Sequence, residues 1–156
     1  MAFFRYDTLL GHITIAETNG HVTRISLAFD ASSLQDEYAE TRLIREVYRQ
    51  LLAYFGGKLV EFDLPLAPEG TEFMESVWRA LREIPYGETV SYKDIATRIG
   101  NPNAGRAVGM ANNRNPIAIV IPCHRVIGSD GQLVGYRSGL ENKRLLLELE
   151  ARYTMR

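Results

Sequence analysis

Apolar positions in the first thirty residues recur with the period of extended chain. Residues 3–6 and 12–17 read as short strands joined through residues 8–11, and Asn19-Gly20 is a hairpin turn, since both residues tolerate positive φ. Thr23, Ile25, Leu27 and Phe29 then alternate with Arg24, Ser26 and Ala28, the pattern of a half-buried strand. From residue 40 to 55 the period lengthens. Ile44, Val47, Tyr48, Leu51, Leu52 and Phe55 share one helical face, and Gly56-Gly57 stops the helix. Residues 59–63 read as a further strand, and Pro65, Pro68 and Gly70 mark the linker that divides the chain.

The second half reads as mostly helical. Phe73, Met74, Val77, Trp78, Leu81 and Ile84 lie on one face of a helix that stops before Pro85-Tyr86-Gly87. Ser91 caps the next helix, with Asp94 in the capping-box position, and that helix runs to Ile99-Gly100. Asn101-Pro102-Asn103 is a tight turn, and 104–112 is a helix built of small residues. Two short helices across such a turn fit a helix-turn-helix whose second helix is 104–112; they fit a plain αα-hairpin as well. The apolar run 117–121 reads as a buried strand. A corner at 122–125, a glycine-rich loop through Gly139 and a last helix from Leu140 to about Arg152 complete the chain. This order places it in the mixed α/β (α+β) class, with domains over 1–70 and 71–156.

Composition narrows the choices. The 156 residues are 46% hydrophobic and 24% charged, enough apolar material for the cores of two small domains. The start, Met1-Ala2-Phe3-Phe4-Arg5, lacks the long apolar run of a signal peptide, and 117–121 is too short to span a membrane. A cytoplasmic chain with no membrane partner is expected. One cysteine excludes an internal disulfide framework and a multi-cysteine zinc site, and His12, His21 and His124 lack paired ligand spacing. No metal is expected. The net charge of −1 conceals an asymmetry: residues 1–70 carry six basic and ten acidic groups, residues 71–156 twelve and nine. Within 91–137, Lys93, Arg98, Arg106, Arg114, Arg125 and Arg137 face only Asp94 and Asp130. Such a segment can bind a polyanion despite the neutral whole, and it can equally be a solvated surface.

The densest chemistry is Ile121-Pro122-Cys123-His124-Arg125-Val126. A thiol with a pKa of about 8.5 is mostly protonated at neutral pH, and adjacent cations or proton acceptors raise its thiolate fraction. A lone cysteine is more often structural, but a histidine and an arginine beside it point to a nucleophile, and Pro122 stiffens its approach. Neighbours in extended chain point to opposite faces, so His124 is expected to reach Cys123 through water unless the backbone turns. Such a base needs an orienting partner, and Glu150 or Glu148 on the last helix is placed to provide one.

The run from Asn115-Pro116-Ile117 through Pro122-Cys123-His124-Arg125-Val126 to Gly128 resembles the active-site signature of the O6-alkylguanine-DNA alkyltransferases. The likeness continues in Ile84-Pro85-Tyr86-Gly87, Val90-Ser91-Tyr92, Arg106-Ala107-Val108-Gly109, Gly135-Tyr136-Arg137-Ser138-Gly139, and Lys143 to Glu150. It covers essentially all of 71–151, whereas 1–70 is similar only in layout. The resemblance implies a ribonuclease-H-like N-terminal domain and a C-terminal winged helix-turn-helix domain. It implies that Cys123 accepts the alkyl group, that His124 acts through water as its base, and that Glu150 orients His124. By the same likeness Asn115 braces the turn around the site, and Tyr92 helps rotate the nucleotide out of the duplex. Arg106 fills the gap left in the stack. The pocket is expected to be formed by Tyr136, Arg137 and Ser138 with Pro116 and Val126. The DNA-facing set adds Arg114 and the small residues Ala104, Gly105, Ala107 and Gly109, which let a helix lie close to a minor groove.

One departure is Asn113, at a position where glycine is expected; asparagine tolerates left-handed geometry. The implied partner is double-stranded DNA containing O6-alkylguanine, with O4-alkylthymine a second substrate to consider. The chain is expected to be a monomer, and no cofactor is expected to restore the thioether, so each molecule acts once. Two other functions fit parts of the pattern. A non-catalytic alkylated-DNA lesion-binding protein shares the helix-turn-helix but lacks the cysteine. A thiol hydrolase would use Cys123, His124 and Glu150, but adjacent Cys and His are poorly placed for it.

Overall fold

The structure, a computed structural model, describes residues 1–27, 36–133, 135, 136 and 139–154. Strands β1 (Ala2–Thr8) and β2 (Gly11–Thr18) form an antiparallel hairpin in register from Ala2↔Glu17 to Thr8↔Gly11. The second turn puts Asn19 at φ 53° and Gly20 at φ 77°, and β3 (His21–Ser26) returns along β2. β4 (Glu37–Tyr38) lies parallel to β1, giving the sheet order β3-β2-β1-β4 among the described residues. Strict alternation in β3 does not hold. Ala16 pairs with Arg24 and Glu17 with Val22, so Thr23 bulges out of the ladder and Val22 and Ile25, three apart, both enter the core. Ala28 and Phe29, expected to extend this strand, lie outside the described residues.

Helix α1 (Arg42–Phe55) starts where the Thr41 hydroxyl accepts from Ile44 N–H, and Gly57, at φ 74°, follows its end. Its Ile44, Val47, Leu51 and Tyr54 are fully buried with Ile13, Ile15, Val22 and Ile25 of the sheet, whereas Leu52, off the stripe, is exposed. Residues 59–63 do not form a strand. The Gln50 amide closes on Asp63 instead, donating to its carbonyl and accepting from its N–H, both at 3.0 Å. That pair satisfies the local backbone without a sheet partner. The linker is fastened as well: Val22 N–H donates to Pro65 O at 2.7 Å and Ala67 N–H to Val22 O at 2.9 Å.

Beyond it come α2 (Glu72–Leu81), β5 (Val90–Ser91), α3 (Tyr92–Arg98), α4 (Gly105–Asn113), β6 (Val126–Ile127) and α5 (Leu140–Thr154). The Ser91–Asp94 capping box is present in both directions. Gly100, at φ 83°, follows α3, and α3 packs against α4 as a helix-turn-helix, with the short parallel pair β5–β6 beside it. Trp78 Nε1–H donates to Ala111 O at 2.9 Å, fastening α4 to the buried face of α2. Among the described residues, no helix is long and apolar enough to cross a membrane.

Candidate active site

Residues 117–121 were expected as a buried strand and are a buried loop. Ile117 forms one parallel bridge with Ile25, through Ile25 N–H to Pro116 O at 2.9 Å and Ala118 N–H to Ile25 O at 3.0 Å. The chain then turns on itself, with Val120 N–H to Ala118 O at 2.8 Å and Ile121 N–H to Ile117 O at 3.1 Å. Asn115 ties the two ends: its Nδ2–H donates to Ile121 O at 2.8 Å and its Oδ1 accepts from Ile117 N–H at 3.0 Å. Within the loop, buried Ile119 is held at φ 72°, a conformation costly for a β-branched residue. Asn113 needs no such geometry; it is the exposed last residue of α4.

The corner after the loop is a 3-10 turn over Cys123–Arg125, so the chain here is not extended. Cys123 is 5% exposed, His124 is fully buried and Arg125 is buried beside it. Glu150 of α5 gathers them. His124 Nε2 lies 2.6 Å from Glu150 Oε2, and Arg125 donates from Nε at 2.8 Å and from Nη2 at 2.9 Å. Tyr54 donates its hydroxyl to the same carboxylate at 2.5 Å, and Gly87 its N–H at 3.0 Å. Arg125 also donates from Nη1 to Ile84 O at 2.7 Å. Glu148, the other carboxylate considered, is exposed and pairs with Arg144.

This geometry fixes the protonation states. Burial pushes the Glu150 carboxyl up, but the His124 and Arg125 contacts outweigh it and hold it well below the ordinary carboxylate range. An ionised carboxylate only accepts, so His124 Nε2 carries the proton and donates it. Burial, more than Glu150 offsets, lowers the His124 pKa and keeps the ring neutral. Nδ1 is therefore a bare lone pair, buried and without a hydrogen-bond partner among the described residues.

The Cys123 thiol is raised by burial, which Asn115, the Lys143 charge and the Tyr136 hydroxyl partly offset. Burial raises Tyr136 too, as does the facing thiol. Lys143 is fully buried, donates to Gly135 O at 3.4 Å and sits 6.0 Å from the centre of the Tyr92 ring. Burial draws its pKa down to about 8 against the pull of Cys123. Tyr92, the first residue of α3, is half-buried and its hydroxyl is raised by burial and by Cys123. A cavity of about 240 Å³ opens beside Cys123, and Arg24, Asn112, Arg114, Pro116 and Tyr136 line parts of it. Val126, expected in this pocket, is fully buried in β6 and is not among the described residues that line the cavity. Arg137 and Ser138 lie outside the described residues.

On α4, Arg106 and Ala107 are exposed, Ala104 and Gly105 are half-exposed, and Met110, which the sequence reading passed over, is 57% exposed between Arg106 and Arg114. Gly109, expected on the DNA-facing side, is half-exposed, and a Cβ there would lie 3.9 Å from the Tyr92 ring. Arg125, counted in the basic segment, is withdrawn into the Glu150 network, leaving Lys93, Arg98, Arg106 and Arg114 as its exposed cations among the described residues.

Fold and site together define a protein in which a sheet domain precedes a helix-turn-helix domain bearing one buried, networked thiol. Two family models match the chain: the ribonuclease-like domain of 6-O-methylguanine DNA methyltransferase over residues 3–68, and its DNA binding domain over residues 72–152. The chain is 70% identical to the methylated-DNA--protein-cysteine methyltransferase of Methanosarcina barkeri over 109 residues, 70% of this chain and 69% of the relative. It is 61% identical to that of Mycolicibacterium paratuberculosis over 150 residues, 95% of this chain and 91% of the relative. The crystal structure of Mycobacterium tuberculosis OGT in complex with DNA superposes with a TM-score of 0.93 at 44% identity, covering 98% of this chain and 94% of that one. The chain belongs to the 6-O-methylguanine DNA methyltransferase family.

Proposed function

We propose that this protein repairs DNA by moving the alkyl group of an O6-alkylguanine onto Cys123, once per molecule. The observation that carries the reading is the polarised line Arg125–Glu150–His124, which ends in an unprotonated Nδ1 in the turn that holds the thiol. His124 Nδ1, acting through water, takes the thiol proton. The Cys123 sulfur then attacks the alkyl carbon, the carbon–O6 bond breaks, and its electron pair returns to the guanine ring. The proton ends on guanine N1, so thiol and alkylguanine become thioether and guanine. Tyr92, kept protonated by burial, is placed to donate to the departing base. Lys143 supports the developing thiolate from the buried side.

The alkyl carbon lies inside the duplex, so the nucleotide must be rotated out, at a cost of about a few kcal/mol. The exposed face of α4, with Arg106 on its first turn, is the surface we assign to the DNA, and Arg106 the side chain that enters the vacated stack. We divide the chain near residue 70 into the two domains. A location in the reducing cytoplasm fits a thiol that must stay free until it reacts. Cys123→Ser tests the assignment. It should bind alkylated duplex as the wild type does and transfer nothing, whereas residual transfer would place the acceptor elsewhere.

A further inference from the structure

Tyr54 stands near the end of α1, in the N-terminal half of the chain, and is fully buried. Its ring packs against Phe55, Phe62 and Tyr86, with ring centres 5.7, 5.4 and 6.1 Å away. Its hydroxyl leaves that cluster and donates to Glu150 Oε2 at 2.5 Å, a partner 96 residues further along the chain. A buried tyrosine must place its hydroxyl somewhere, so the bond alone assigns it no part in the chemistry. The oxygen it takes is more telling. Glu150 Oε1 accepts from Arg125 Nε and from the Gly87 N–H, whereas Oε2 accepts from Arg125 Nη2, Tyr54 and His124 Nε2. Tyr54 and His124 therefore meet on one atom.

Donors that share an acceptor divide its charge. The pull of a carboxylate on one imidazole N–H raises the basicity of the other ring nitrogen, here Nδ1, which has no partner among the described residues. Each further donor on Oε2 weakens that pull. Burial, and then the Glu150 charge, hold the proton on Tyr54, so the phenol stays a donor. Around the pair stand Arg125 and Cys123 of the same turn, Lys143 of α5, Tyr86 beyond α2, and Tyr136. Arg125 and Lys143 disfavour a charge on His124, and Glu150 favours one. All of these belong to the C-terminal half of the chain; Tyr54 does not.

We propose that Tyr54 is a positioning residue for the transfer step: by donating to the Glu150 oxygen that receives the His124 N–H, it limits the pull of Glu150 and so sets the basicity of the ring. This role rests on the alkyl-transfer reading, in which His124 takes the thiol proton through water. It gives the N-terminal half a share in the chemistry as well as in the packing. Without the phenol, Oε2 keeps two donors, so its charge falls more heavily on His124 and the ring takes up a proton at higher pH. A protonated ring has no lone pair for the thiol proton, and transfer then fails first on the acid side.

The test has two readouts, each followed from mildly acid to mildly alkaline pH. One is single-turnover transfer at saturating O6-methylguanine duplex; the other is the titration of the His124 ring by nitrogen NMR in the protein without DNA. Tyr54→Phe keeps the ring and its aromatic contacts and removes the hydroxyl. Both the acid limb of the rate profile and the ring titration should then move up by about one pH unit. A ring-fluorinated tyrosine at position 54, a more acidic phenol and a stronger donor, should move both down. Neither readout moving, or a rate lowered equally at every pH as a packing defect would lower it, overturns the proposal. If Tyr54→Phe fails to fold by circular dichroism, the fluorinated residue decides alone. Absence of transfer by the wild type overturns alkyl transfer itself, and the ring titration still decides whether Tyr54 acts on His124.

Discussion

Glu150 holds an arginine and a histidine in their working states, so its removal has two separable effects. Glu150→Gln strands the buried Arg125 guanidinium without a counter-charge, a change that costs about 3–5 kcal/mol. It also frees the His124 ring from its tautomer, and transfer should slow. Urea denaturation beside Glu148→Gln checks this, because the surface pair of Glu148 with Arg144 is worth less than about 1 kcal/mol. Equal stabilities in the two variants would refute the network. The pH dependence follows from the same contacts. The Glu150 carboxyl is lower in the folded than in the unfolded chain, so its stabilisation is complete above about 4.3 and is lost as pH falls further. His124, lowered by burial, is protonated first in the unfolded chain, so stability starts to decline below about pH 6.5. Lys143 has the same sign at higher pH. Its folded value of about 8 lies below its unfolded one, so the fold carries a penalty that is complete below pH 8. Lys143→Met should therefore be more stable than the wild type at neutral pH, yet its Cys123 should titrate higher and transfer more slowly. An unmoved thiol titration, read by thiolate absorbance, would contradict that role.

At the scale of elements, the loop 115–122 holds the turn that bears Cys123, and helix α4 carries the exposed face assigned to the DNA. Arg106 projects from the open face of a helix of small residues, so its loss should spare the chemistry and impair the flip. Arg106→Ala should slow saturated single-turnover transfer from duplex while leaving reaction with free O6-methylguanine unchanged. If the duplex rate at saturation matches the wild type, Arg106 is a phosphate contact only. The elements themselves were legible wherever their signals are local: Asn19-Gly20, the Ser91–Asp94 box and the stripes of α1 and α2 are each set by neighbours in sequence. The run 117–121 was not, because a continuous apolar stretch reads as a buried strand. Its turns depend on the Asn115 amide and on β3, which belongs to the other half of the chain. Cys123 stood out by its company, but spacing could not separate Glu150 from Glu148. Arg125 looked like one more surface cation. Lys143 did leave a trace, a charged residue on the stripe shared with Leu146 and Leu149, a position where burial is the rule.

At the scale of the molecule, the N-terminal domain is a support for the thiol. β3 bridges the active-site loop at Ile117, and Tyr54 of α1 reaches across to Glu150. The C-terminal domain carries the thiol, the histidine proposed as its base and the exposed helix α4, so it holds both the sulfur and the surface assigned to the duplex. A thioether does not hydrolyse under mild conditions, so each thiol is expected to react once. Intact mass after incubation with a duplex containing O6-methylguanine addresses the whole account at once. It should show a single methyl increment, located on Cys123 by peptide mapping, with one guanine restored for each protein molecule consumed. Many guanines restored per molecule, or restoration with Cys123 unchanged, would contradict it.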